Sequence, residues 1–142
     1  MKVIHLISGG DSGGAKTHVL SLLQNLNKTI TAQLVCFRDG PFAEEARQMG
    51  IPTMIYEGNN VFRTRRTLAA YIREGGYEII HCHGSRANMI GAMLRKVTGL
   101  PVVTTVHSDY RLDYMGRPLS RLVFGEKITK KKLLQRFCHG RI

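Results

Sequence analysis

Three short segments of this chain carry side chains able to do chemistry. His81-Cys82-His83-Gly84-Ser85-Arg86 sets two imidazoles two residues apart, on one face if the chain there is extended, with Ser85 able to cap a following helix. Thr104-Thr105-Val106-His107-Ser108-Asp109-Tyr110 adds a third imidazole with a hydroxyl and a carboxylate beside it. Ser8-Gly9-Gly10-Asp11-Ser12-Gly13-Gly14 runs straight into a helix-length segment that carries His18. Glycines let a backbone approach a ligand closely, and a helix N-terminus offers unpaired N–H groups to an anion, so this loop suits anion or sugar contact. Its spacing is neither GxGxxG nor a Walker A loop, and no GxSxG nucleophile signature is present. The histidines alone make zinc conceivable. Zinc needs further ligands at recognisable spacing, so hydrogen-bonding imidazoles at strand ends are the better reading and no metal is expected.

The elements that must position these residues are legible in the apolar pattern. Val3–Ile7, Ala32–Phe37, Thr53–Ile55, Ile79–Cys82 and Val102–Val106 are short, nearly continuous apolar runs, the pattern of strands covered on both faces. Between them lie amphipathic stretches of helical length. Ala15–Asn27 has Val19, Leu22, Leu23 and Leu26 on one stripe, and Phe42–Met49 stops at Gly50 and Pro52. Val61–Glu74 turns Leu68, Ala69 and Ile72 inward and closes on Gly75-Gly76; Ser85–Thr98 carries Ile90, Ala92, Met93, Leu94 and Val97 before Gly99 and Pro101. Strands separated by crossover helices run parallel. The expected fold is therefore α/β, a doubly wound, Rossmann-like parallel sheet. In such a sheet ligands bind beyond the C-terminal strand ends, where the three segments fall.

The chain has 142 residues, about one domain. It holds 21 Lys+Arg against 10 Asp+Glu, a formal net charge of +11, which favours anionic partners without selecting one. Nine of the basic residues and only two acids lie in 111–142. The domain is expected to span 1–124, with 125–142 a basic, frayed tail. Only Tyr114, Phe124 and Phe137 interleave with these basic residues, so no base-stacking platform and no specific nucleic-acid partner is expected. Three scattered cysteines suit a reducing compartment, and the first apolar run is too short for a signal peptide, so a cytoplasmic location is expected.

Taken together, the loops resemble family 4 glycosyltransferases of the GT-B type. Gly13-Gly14-Ala15-Lys16-Thr17-His18-Val19 is similar to the Gly-Gly-x-Glu-x-His-Val segment after that family's first strand. His81-Cys82-His83-Gly84 resembles its His-x-His segment, and Thr105-Val106-His107-Ser108 its Thr-x-His segment. The Gly-Pro-Phe-x-Glu-Glu-Ala and Gly-Tyr-Glu-Ile-Ile-His-Cys-His-Gly stretches look like bacterial capsular or exopolysaccharide members. Lys16 departs from the family's Glu.

The resemblance implies the acceptor-side, N-terminal half of a retaining enzyme. Such an enzyme moves a sugar from a nucleotide-sugar to a glycan or lipid-linked acceptor, usually with no metal or other cofactor. By the same resemblance His107 contacts the sugar at the reacting centre, and Gly13 and Gly14 approach the donor. His83 shapes the acceptor side, and His18, Ser85, Arg86 and Ser108 join the binding residues. The family's Glu-x7-Glu pair belongs to a second domain and is not found here, so these 142 residues alone are expected to be inactive. Arg136–Ile142 read one nucleotide out of frame permits Asp-Phe-Val-Met-Ala-Val-Ser, close to a strand family members carry, which leaves a frameshifted tail as a hypothesis that the nucleotide sequence decides. A peripheral place at the inner face of an anionic membrane would suit such an enzyme. The alternative from the residues alone is a standalone nucleotide- or phosphate-binding module.

Overall fold

The computed structural model describes residues 1–10, 14–58, 60–105 and 107. Along the described chain strands and helices alternate: β1 (Lys2–Ile7), α1 (Gly14–Leu26), β2 (Thr31–Cys36), α2 (Pro41–Gln48), β3 (Thr53–Ile55), α3 (Val61–Glu74), β4 (Ile79–His83), α4 (Ser85–Thr98) and β5 (Val102–Thr105). All strand pairs are parallel, in the order β3-β2-β1-β4-β5. The order reverses between β1 and β4, the first strands of the two halves. A crevice opens at such a reversal because successive crossovers leave in opposite directions.

Alternation along the strands builds two cores. Ile4, Leu6, Val35, Phe37, Ile80 and Cys82 face α3 and α4, meeting Leu68, Ala69, Ile72, Ala87, Ile90 and Leu94. Ile7, Ala32, Leu34 and Cys36 face α1 and α2, meeting Val19, Leu20, Leu23, Phe42, Ala43 and Ala46. Helices on both faces make the sheet doubly wound, as the apolar runs implied. The central strands carry the burial, whereas β3 and β5 lie at the edges and are only partly covered.

Local signals account for the helix ends. Asn60 caps α3 by accepting from the backbone N–H groups of Phe62 and Arg63, both at 3.0 Å. Gly99 ends α4 in the left-handed region, φ 75°, and Pro101 follows. Gly91 is required by close approach: a Cβ there would run into the Cys82 Sγ, so α4 packs tightly on β4.

Two expectations are corrected. Ser85 does not cap α4; it is the first helical residue, and the cap position belongs to Gly84 at φ 84°, with no side-chain hydrogen bond. On α1 the buried leucines are Leu20 and Leu23, with Leu22 only partly buried. The boundary at 124, the tail 125–142 and the end of the last run at Val106 lie outside the described residues. Among the described residues no helix is long and apolar enough to cross a membrane.

Candidate functional site

Register brings the imidazoles together. His81 pairs with His5 across β4 and β1, and His83 pairs with Ile7; on the other side His81 pairs with Val103 and His83 with Thr105. Partners in register share a face, so His5, His81 and His83 line one side of the sheet around the reversal. His107 follows β5 just beyond Thr105 and reaches the same rim. His18 lies in the second turn of α1, which begins at that rim.

The contacts are close. His5 Nδ1 lies 3.1 Å from His83 Nε2, with both residues buried. His83 Nδ1 lies 3.2 Å from His107 Nε2. The rings of His83 and His107 stack at 5.5 Å, and His18 meets the His107 ring edge-on at 5.3 Å. His81 packs against His83 at 4.2 Å, and its Nε2 is 2.8 Å from the Thr105 hydroxyl. Histidines from three elements and the segment after β5 therefore form one continuous cluster.

Burial sets their charge. Desolvation, helped by neighbouring imidazoles, lowers the pKa of His83 to about 2 and that of His5 to about 3. His81 is also lowered, first by burial and then by His107 and His18. A charged imidazole would lose its hydration and face its neighbours' like charge, so the neutral form prevails. Neutral imidazoles donate and accept hydrogen bonds but bring no positive charge to an anion. Backbone can supply that attraction: α1 and α4 both start at this rim, with no acidic residue in either first turn to offset their N-terminal dipoles.

The metal question can be put to the geometry. His5, His81 and His83 each offer a nitrogen, all within 4.8 Å of one another. Zn–N bonds of about 2.0–2.1 Å at tetrahedral angles would put such nitrogens roughly 3.4 Å apart. The trio has no carboxylate among it, and the His5–His83 and His83–His107 separations are those of hydrogen bonds.

The other expected residues fall as follows. His18, His83 and His107 are brought together. Gly14 opens α1 and Ser85 opens α4, the two helices that start at this rim. Arg86 is engaged elsewhere: it donates to the Gly58 carbonyl at 2.8 Å and lies over the Phe37 ring at 5.3 Å. Gly13 and Ser108 lie outside the described residues. Lys16, the departure from the family pattern, forms an ion pair with Glu45 of α2. His5 was missed. Its signal was present, since it is the one polar residue in the run Val3–Ile7 and has the parity of Val3 and Ile7. Only the β1–β4 pairing turns that parity into a contact with His83.

Comparison with solved structures places this arrangement. Anabaena Alr3699/HepE, crystallised with UDP, superposes with a TM-score of 0.71 at 20% identity, over 82% of this chain and 32% of that one. A glycosyltransferase from Rickettsia africae ESF-5 gives 0.69 at 16% identity, over 89% of this chain and 34% of that one. The parallel sheet with its flanking helices is thus the Rossmann-like N-terminal domain of a GT-B glycosyltransferase fold. Residues 12–139 match Glycosyltransferase Family 4, and the chain belongs to that family. EpsF of Bacillus subtilis (strain 168), named as a glycosyltransferase, is 27% identical over 109 residues, covering 71% of this chain and 28% of that protein. The chain thus spans about a third of the length of these relatives.

Proposed function

We propose that this domain forms the acceptor-side wall of a retaining glycosyltransferase that moves a hexose from a nucleotide-sugar to a glycan or lipid-linked acceptor. One observation carries the reading: His18 of α1, His83 of β4 and His107 of the segment after β5 meet at the C-terminal rim beside the strand-order reversal. Family membership and the UDP and UDP-glucose held by Anabaena Alr3699/HepE support the donor class. In this reading His107 is the catalytic residue and contacts the sugar at the reacting centre. His83 shapes the acceptor side, and Gly13 and Gly14 approach the donor. His18, Ser85, Arg86 and Ser108 complete the binding residues. The departing nucleoside diphosphate gathers negative charge, and the amide groups at the start of α1 are preorganised to stabilise it.

One wall does not exclude water or hold both reactants, so the 142 residues alone do not turn over. The donor-binding domain comes from further residues of the same protein or from a partner chain. An exopolysaccharide-type acceptor and a cytoplasmic location at the inner face of the membrane fit the net charge of +11. The exposed Arg63, Arg66 and Arg73 of α3 add basic surface for such a membrane.

The test is transfer of radiolabelled hexose from UDP-hexose to a lipid-linked acceptor. The chain is assayed alone and fused to the donor-binding domain of a family relative. The fusion should transfer, and His107→Ala should cut its rate by about 10²-fold or more, the usual effect of losing a transition-state contact. Transfer by the 142 residues alone above a His107→Ala control contradicts the proposal, as does a fusion indifferent to that substitution. Saturable micromolar binding of free UDP by the isolated chain would favour a standalone nucleotide-binding module instead.

A further inference from the structure

The three imidazoles His5, His83 and His107 form a chain of two N···N hydrogen bonds whose inner end is closed. His5 is fully buried, its Nδ1 faces His83 Nε2 at 3.1 Å, and its Nε2 has no hydrogen-bond partner. His83, 1% exposed, continues the chain from its own Nδ1 to His107 Nε2 at 3.2 Å. A neutral imidazole carries one proton, so His83 must donate at one nitrogen and accept at the other. Only two polarities satisfy both bonds. In one, all three rings carry hydrogen on Nδ1, and the unsatisfied atom at the buried end is a bare lone pair on His5. In the other, all three carry it on Nε2, and the unsatisfied group is a buried N–H. Orphaned buried N–H groups are rarer than under-satisfied acceptors. The buried, unpartnered Nε2 of His5 therefore selects the polarity of the whole chain.

We infer that His5 and His83 are positioning residues that lock His107 in its Nδ1–H tautomer, with its Nε2 turned inward as an acceptor. His107 then meets its other neighbours as a hydrogen-bond donor and not as a base. This assigns His5, deep in the first strand, a role at the rim through one intervening ring. Its significance for sugar transfer rests on the reading of His107 given above, but the tautomer itself does not. The two can therefore fail separately.

The test uses the 142-residue chain labelled with 15N-histidine, read by long-range 1H–15N correlation at pH 7.5. The tautomer pattern of each ring identifies the nitrogen that carries hydrogen. His5, His83 and His107 should all show hydrogen on Nδ1. His5→Phe replaces that donor with a ring face that can only accept, weakly, from an N–H, so His83 and His107 should shift toward their Nε2–H forms. His5→Asn, whose amide nitrogen can stand near the position of Nδ1, should restore the Nδ1–H form. Nε2–H forms of His83 and His107 in the unsubstituted chain overturn the inference, whether or not either variant folds. In a folded His5→Phe variant, an unchanged tautomer pattern does the same. Equimolar Zn2+ that displaces the hydrogens of His5, His81 and His83 together would also overturn it, since that would make the cluster a metal site.

Discussion

The buried histidines make the fold sensitive to mild acid, by an amount the structure sets. In the unfolded chain an imidazole titrates near pH 6.5, whereas burial and neighbouring imidazoles hold His5 down at about 3 and His83 at about 2 in the folded protein. A lowered folded pKa means that below about pH 6.5 the unfolded state binds protons the folded state refuses. Stability is therefore complete above that pH and is lost as the pH falls. Each of the two rings costs a tenfold change in the folding equilibrium per pH unit. At pH 4.5 the pair should weaken the fold by about 10⁴-fold, or about 5 kcal/mol, comparable to the whole stability of many domains. Both side chains are almost wholly buried, so solvent screening does little to reduce this. Urea melts followed by circular dichroism at pH 7.5, 6.5, 5.5 and 4.5 should show a slope of at least two protons below pH 6.5. The melting temperature should fall by about 20 °C over the same span. His5→Phe should reduce the slope by one proton, even though its stability at pH 7.5 is itself lower. A flat profile from pH 7.5 to 4.5, or an unchanged slope in that variant, would refute the reasoning.

Gly91→Ala should destabilise by about 1–3 kcal/mol in urea melts despite alanine's better helix propensity, because its methyl meets the buried Cys82 Sγ where α4 lies against β4. A neutral or stabilising result would mean that the two elements have room to part. Asn60→Ala should cost about 1 kcal/mol, since two backbone N–H groups of α3 lose their acceptor, and Asn60→Asp should retain most of it; equal losses for the two would deny the cap its role. The Cys82 thiol, pushed up to about 12 by burial, should resist iodoacetamide at pH 8 in the native state and react once unfolded, as mass spectrometry would show.

Where the signals are local, the sequence reading agrees closely with the structure. α3 and α4 begin and end at the residues their apolar spacing implied, since Gly75-Gly76 and Gly99 with Pro101 stop them within a few residues. β1 and β2 each start one residue early, at Lys2 and Thr31. Strand pairing continues past the apolar run, because backbone hydrogen bonds do not depend on side-chain polarity. The convergence of His83 and His107 followed from both lying at strand ends of one parallel sheet. His5 was not legible in the same way. Nothing near it in the sequence says that β4 will lie beside β1, and only that long-range pairing makes it a partner of His83. Ser85 misled for a related reason: Gly84, with its positive φ, already turns the chain into α4, so the serine begins inside the helix.

The central claim, that imidazoles from distant parts of the chain are joined at the rim of the sheet, can be measured through the bonds themselves. A 15N–15N correlation experiment on the histidine-labelled chain detects coupling across an N–H···N hydrogen bond. Cross-peaks are predicted between His5 Nδ1 and His83 Nε2 and between His83 Nδ1 and His107 Nε2. Sharp, assigned histidine signals with neither cross-peak would contradict it.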